Sequence, residues 1–272
     1  MLPPVNKDGA AVVTGASSGI GEQIAREFAR RGYPLVLIAR RAERLRELAA
    51  SLDGVAHVLV ADLSRPADRA ALPGQVAALG VTPDILVNNA GLSNLGPVAS
   101  SDAEAELQLI EVDVSAVVDL CSRFVPGMVA RGRGAVLNVA SVGAFGPVPG
   151  QATYGAAKAF VLSYTEAMRQ ELRGTGVTAA TLCPGPVRTG FGEAAGISTE
   201  EAEKSLPSFL WTDADDVARI AVDGLAAGNG VIVPGAPNRF AAAVYRYAPR
   251  RLLLPLIARN HPGLKPAGPP TP

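Results

Sequence analysis

Short apolar runs alternate with longer amphipathic stretches from Ala10 to Val233, and no other feature restricts the fold as much. Strands are read at 10–13, 35–39, 55–60, 85–87, 135–139, 178–182 and 231–233. Helices are read at 20–31, 42–50, 66–79, 103–128, 154–172 and 213–227. Gly32 follows the first helix and Pro66 opens the third, where a missing N–H is tolerated. The strands are apolar on both faces, so both faces need cover. This pattern predicts a Rossmann-like α/β fold: a doubly wound parallel sheet of about seven strands with helices on both sides. We expect one domain over residues 1–234 and a C-terminal extension over 235–272. In such sheets a ligand lies beyond the carboxyl ends of the strands, near the switch in strand order.

Composition narrows the function classes. The chain has 272 residues, with 25 basic and 25 acidic side chains, so no global field draws it to nucleic acid. Cys121 and Cys183 are far apart, as are His57 and His261. That spacing argues against a disulfide framework, a metal site or a histidine-centred triad, and fits the reducing cytoplasm. His57 reads as a surface residue. We read neither a signal peptide at the N-terminus nor an apolar run of membrane-spanning length.

The first strand runs into Thr14-Gly15-Ala16-Ser17-Ser18-Gly19-Ile20-Gly21 and then a helix. Glycines let the backbone turn tightly against a pyrophosphate, and the free N–H groups of the helix start bind the anion. Gly15, Ser17, Ser18, Gly19, Ile20 and Gly21 are therefore the candidate phosphate loop, the alternative being an ordinary strand-to-helix turn. The second strand ends Ala39-Arg40-Arg41 with no acidic residue to hold a ribose hydroxyl pair. An arginine there suits a 2′-phosphate, so NADP(H) is expected, with Arg40 the better candidate and Arg41 a helper. The competing reading makes both arginines solvated surface charges.

Tyr154 and Lys158 lie four apart in a helical pattern and so share a helix face. An ammonium beside a phenol stabilises the phenolate and draws its pKa down. Ser141, at the end of the preceding strand, is placed to hold a substrate oxygen near Tyr154. Each residue alone has a plainer reading as a core edge, a solvated charge or a cap.

Together the phosphate loop, Asn88-Asn89-Ala90-Gly91, Ser141, Tyr154-Gly155-Ala156-Ala157-Lys158 and Pro184-Gly185-Pro186-Val187-Arg188-Thr189 resemble the short-chain dehydrogenase/reductase family, NADP(H)-preferring type, over roughly 10–233. The resemblance implies that Tyr154 is the acid/base, that Lys158 holds the nicotinamide ribose and tunes Tyr154, and that Ser141 positions the carbonyl. It places Asp62 and Leu63 at the adenine edge, with Asn89, Ala90 and Gly91 lining the adenosine-side ribose and backing the fourth strand. Val187 and Thr189, after Pro184-Gly185, would fix the nicotinamide amide. One position departs: where the family usually has an asparagine in the fourth helix, this chain has Asp113. A carboxylate there would keep the local kink and its water and alter the tuning of Tyr154.

The expected function is hydride transfer between NADP(H) and a carbonyl or secondary alcohol of a small apolar substrate. A cofactor-binding scaffold or sensor without turnover is the alternative. Residues 186–211 read as a lid, with Phe191, Phe209, Leu210 and Trp211 as its apolar surface, facing Phe145 and Val148. Beyond Gly224 there is no Asp or Glu, while Arg239, Arg246, Arg250, Arg251, Arg259 and Lys265 flank an apolar run from Leu252 to Ile257. Packing on the domain or a partner subunit is expected over contact with a membrane surface, because Pro249 and Pro255 break any long amphipathic helix. By resemblance, the two long helices pair across subunits in a homodimer or homotetramer.

Overall fold

The computed structural model describes residues 2–190, 207–260 and 262–264. Seven strands form one parallel sheet: β1 (Gly9–Thr14), β2 (Leu35–Ala39), β3 (Ala56–Val60), β4 (Thr82–Asn88), β5 (Gly134–Val139), β6 (Val177–Leu182) and β7 (Val231–Ile232). Their order is β3-β2-β1-β4-β5-β6-β7, so the chain switches direction between β1 and β4. All pairings among the seven are parallel. The helices are α1 (Gly19–Arg30), α2 (Ala42–Ala50), α3 (Pro66–Ala78), α4 (Ala103–Ile110), α5 (Ala116–Ala130), α6 (Ala152–Glu171), α7 (Ala214–Ala226), α8 (Ala236–Tyr247) and α9 (Arg250–Asn260).

The alternation of side chains along each strand divides the core in two. On one face Val12, Ile38, Leu86 and Val136 pack with Leu72 of α3, Leu120 and Phe124 of α5 and Val161 of α6. On the other, Val13, Leu37, Val87 and Leu137 pack with Ile24 and Phe28 of α1, Leu45 of α2 and Val222 of α7. Both faces of the central strands are closed to water, which is why they carry no polar alternation, while the edge strand β3 is half-buried.

Two expectations need correction. The single long helix read over 103–128 is broken by a π-helical turn at Glu111–Ser115, which separates α4 from α5. An inserted residue of this kind leaves no hydrophobic signature, so periodicity does not reveal it. In the tail, Pro249 does separate α8 from α9, but Pro255 lies inside α9. A proline removes only one N–H donor, and a short exposed helix carries that loss.

Of the tail, α8 packs back beside the site: Asn238 is buried and donates to the carbonyls of Leu210 and Pro234. Most of the segment read as a lid, Phe191 included, lies outside the described residues, as do His261 and Lys265. His57 is half-buried within β3, paired in register with Val36. Among the described residues no helix is long and apolar enough to cross a membrane.

Candidate active site

The carboxyl ends of β1 and β4 meet at the switch point, and Thr14 joins them. Its Oγ1 donates to the Val87 carbonyl at 3.1 Å and accepts from the backbone N–H groups of Asn89 and Ala90 at 3.0 and 3.1 Å. The chain then turns through Gly15 at φ +64°, a left-handed conformation that disfavours any side chain. Gly21 is required for space: a Cβ there would lie 2.2 Å from Asn89 Nδ2 and 2.5 Å from the Gly15 carbonyl. The Asn89 side chain donates to the carbonyls of Thr14 and Gly15 at 3.0 and 3.3 Å. Its amide thus braces the phosphate loop. Short-range sequence cannot show this, because the contact joins two strands distant in the chain.

Ser18 caps α1 in an extended conformation and makes no side-chain capping bond, so the first N–H groups of the helix remain open to an anion. Arg41 reaches across from the end of β2 and donates to Ser18 Oγ at 2.7 Å and to Ser17 Oγ at 3.0 Å. Arg40 instead acts on Asp62 at the end of β3. Arg41 is thus the arginine bonded to the loop, and Arg40 the one beside Asp62. Arg41 is the N-cap of α2, just past β2, and from there its side chain reaches Ser17 and Ser18.

Asp62 accepts from the Ser64 N–H and hydroxyl at 3.0 and 2.8 Å. Burial pushes this carboxyl up, but the Ser64 bonds and the Arg40 and Arg65 guanidinium groups outweigh it and hold it below the usual carboxylate range. Leu63 beside it is buried. The donor set at this end of the sheet, with helix N–H groups, two hydroxyls and two arginines, fits a phosphorylated dinucleotide.

The second cluster lies past β5. Ser141 follows that strand, and its Oγ accepts from the Gly143 N–H at 3.1 Å. Tyr154 and Lys158 lie one turn apart on α6, with Lys158 Nζ 5.6 Å from the centre of the Tyr154 ring. Ser141 also hydrogen-bonds Tyr154. Lys158 is 4% exposed and donates to the Val139 carbonyl at 3.2 Å. Asp113, 1% exposed, is carried inward by the π-helical turn, with Oδ2 2.9 Å from Lys158 Nζ. Its Oδ1 accepts from the Leu92 N–H at 2.7 Å. So the carboxylate pairs with the lysine directly.

The electrostatics depart from the simple expectation for Tyr154. Tyr154 is half-buried, and the desolvation of its phenolate raises the phenol above its ordinary value; Lys158 and Ser141 pull it down, while Asp113 pushes it further up. The net direction is upward. Burial disfavours the Lys158 ammonium, yet Asp113 and Tyr154 more than compensate and hold it protonated. Burial also pushes the Asp113 carboxyl up, against the pull of Lys158 and the Leu92 N–H.

The short chain dehydrogenase family matches residues 9–199 of this sequence. The chain belongs to that family. As a short chain dehydrogenase it is an oxidoreductase that uses a nicotinamide cofactor to interconvert alcohols and carbonyls. The NADP-dependent 3-hydroxy acid dehydrogenase of Escherichia coli is 35% identical over 180 residues, covering 65% of this chain and 71% of that protein. A short-chain dehydrogenase from Sphingobium yanoikuyae in complex with NADPH superimposes with a TM-score of 0.77 at 35% identity, covering 86% of this chain and 92% of that one. The bulky-bulky ketone specific alcohol dehydrogenase from Comamonas testosteroni gives 0.72 at 29% identity, covering 83% and 85%.

In this short chain dehydrogenase, two supporting elements escaped sequence reasoning. Asn138 of β5 accepts from Asn88 and donates to Thr165 of α6, both at 2.8 Å, which locks the strands to the helix that carries Tyr154 and Lys158. Asn238 of α8 leaves no room for a side chain at Gly185, since a Cβ there would lie 2.2 Å from its Oδ1. Thr189 is carried over the phosphate loop, within 3.2 Å of a Cβ placed at Gly19. Of the two apolar residues expected at the substrate, Phe145 packs against the core and Val148 packs over Gly155 and Gly143.

Proposed function

We propose that this protein is an NADP(H)-dependent carbonyl reductase and alcohol dehydrogenase in which Tyr154 is the acid/base. The observation that carries the reading is the convergence of Ser141, Tyr154 and Lys158 beyond β5. When bound, the cofactor supplies or accepts the hydride. Ser141 and Tyr154 hold the substrate oxygen by hydrogen bonds, and Tyr154 exchanges a proton with that oxygen as its charge changes. Lys158 has used two of its three N–H donors on Asp113 and Val139 and keeps the third for a ribose hydroxyl.

The pyrophosphate would lie over Gly19, Ile20 and Gly21, with the adenine beside Asp62 and Leu63. Backbone at Ala90 and Gly91 would line the neighbouring ribose. Pro184, Gly185, Val187 and Thr189 would frame the nicotinamide. Ser17, Ser18, Arg40 and Arg41 would hold a 2′-phosphate, which favours NADP(H) over NAD(H). The named cofactors of the Escherichia coli and Sphingobium relatives support this choice. We also propose a homo-oligomer paired along α4 and α6, whose outer faces leave Leu107, Ile110 and Phe160 exposed.

The test is loss of reduced-cofactor absorbance over a panel of ketones and aldehydes, with NADPH and NADH in parallel. Turnover with NADPH, abolished in Tyr154→Phe while NADPH still binds, is the expected result. Full activity in that variant would overturn the assignment.

A further inference from the structure

The position where asparagine is usual holds a carboxyl group in this chain, paired with the Lys158 ammonium at 2.9 Å. The π-helical turn directs Asp113 into the protein. Leu92 anchors one carboxylate oxygen and Lys158 takes the other. Gly91 leaves just enough room, since a Cβ there would lie 3.2 Å from both Asp113 Oδ2 and Lys158 Nζ.

An asparagine could keep the Leu92 contact by its side-chain oxygen, but it would bring no charge. The difference matters because Asp113 and Lys158 are buried beside a half-buried Tyr154. With Asp113 ionised, Lys158 charged and Tyr154 protonated, the net charge is zero. Removing the phenol proton then leaves a net negative charge on a cluster in which Lys158 and Asp113 are buried and Tyr154 is half-buried. With asparagine the same step would take the cluster from positive to neutral, which burial favours.

The groups facing Tyr154 can be named from every side. Lys158 lies on its own helix, Asp113 on the π-helical turn, Ser141 after β5 and Cys183 after β6. Ser141 does not titrate in this range. Burial pushes the Cys183 thiol up to about 12, so it stays neutral. Lys158 and Asp113 are thus the two charges that set the balance.

We propose that Asp113 is a positioning residue that fixes the Lys158 ammonium with a full counter-charge, so that Tyr154 serves as a proton donor at neutral pH and the protein works there as a carbonyl reductase. This rests on the reading of Tyr154 as the acid/base. In reduction the carbonyl carbon gains a hydride from the reduced nicotinamide, and the C=O π pair moves to oxygen. That oxygen takes the Tyr154 proton, and solvent restores it to the phenolate. Oxidation needs the phenolate first, to accept the alcohol proton, so its rate climbs only in alkaline solution.

The experiment is a pH titration of the cofactor-free protein labelled with 13C at tyrosine Cζ. The chain has five tyrosines, and the Tyr154 signal is the one missing from Tyr154→Phe. In the wild type Tyr154 is expected to ionise above the ordinary value of about 10. In Asp113→Asn its midpoint should fall, by on the order of one pH unit. The alkaline rise of alcohol oxidation should move down with it. Thermal unfolding checks that the variant is folded.

The proposal is overturned if wild-type Tyr154 ionises below the ordinary value. It is equally overturned if the midpoint stays or rises in folded Asp113→Asn, as it would if Lys158 shed its proton instead. Should Asp113→Asn not fold, the wild-type titration still overturns the proposal if Tyr154 ionises below the ordinary value. The signal reports on Tyr154 whether or not Tyr154 catalyses, so failure here is distinct from an active Tyr154→Phe.

Discussion

Replacing Arg41 by alanine tests the cofactor assignment most directly. In the structure its guanidinium makes its short contacts to neutral hydroxyls, those of Ser17 and Ser18. A 2′-phosphate at this place would exchange them for charge-assisted bonds, each contributing about 1.5–3 kcal/mol. The gain is offset twice. The serine bonds must be given up or shared, and Arg41 is exposed, so water screens the pair. We therefore expect the lower end, about 1.5 kcal/mol, which is about a tenfold weaker Kd for NADPH. NADH has no phosphate at that carbon and its affinity should hardly change. Fluorescence titration of both reduced cofactors against wild type and Arg41→Ala measures the ratio. Equal loss for both would mean that Arg41 only shapes the loop; no loss for NADPH would refute the phosphate site.

Two further changes probe the scaffold. Gly21→Ala places a Cβ against Asn89 Nδ2 and the Gly15 carbonyl; overpacking of this kind costs about 1–3 kcal/mol, and NADPH affinity should fall at least about tenfold in isothermal titration. Asn138→Ala removes the partner of Asn88 Nδ2 and of Thr165; leaving buried polar groups unpaired should lower unfolding stability by about 2–3 kcal/mol in a urea titration, and an unchanged midpoint would count the network as idle.

What the sequence by itself determined is whatever depends on short-range pattern. The seven apolar runs placed every strand, because a sheet covered on both faces admits no polar alternation. The glycine turn before α1 was legible as a tight strand-to-helix turn, since glycine takes φ near +60° there without strain. Tyr154 and Lys158 were legible as a pair because helical geometry puts residues four apart on one face. Tertiary structure alone decided the rest. Asp113 meets Lys158 only because a π-helical turn rotates it inward, and no local propensity marks that turn. Arg41, not Arg40, faces Ser17 and Ser18 because of how β2 lies beside β1. Asn89 bracing the loop, and Asn238 closing on Gly185, join segments far apart in the chain. The upward push on Tyr154 is likewise a property of burial and of a carboxylate from another helix. Neither depth nor a long-range contact is written in the spacing of residues; both exist only once the sheet has brought its strand ends together.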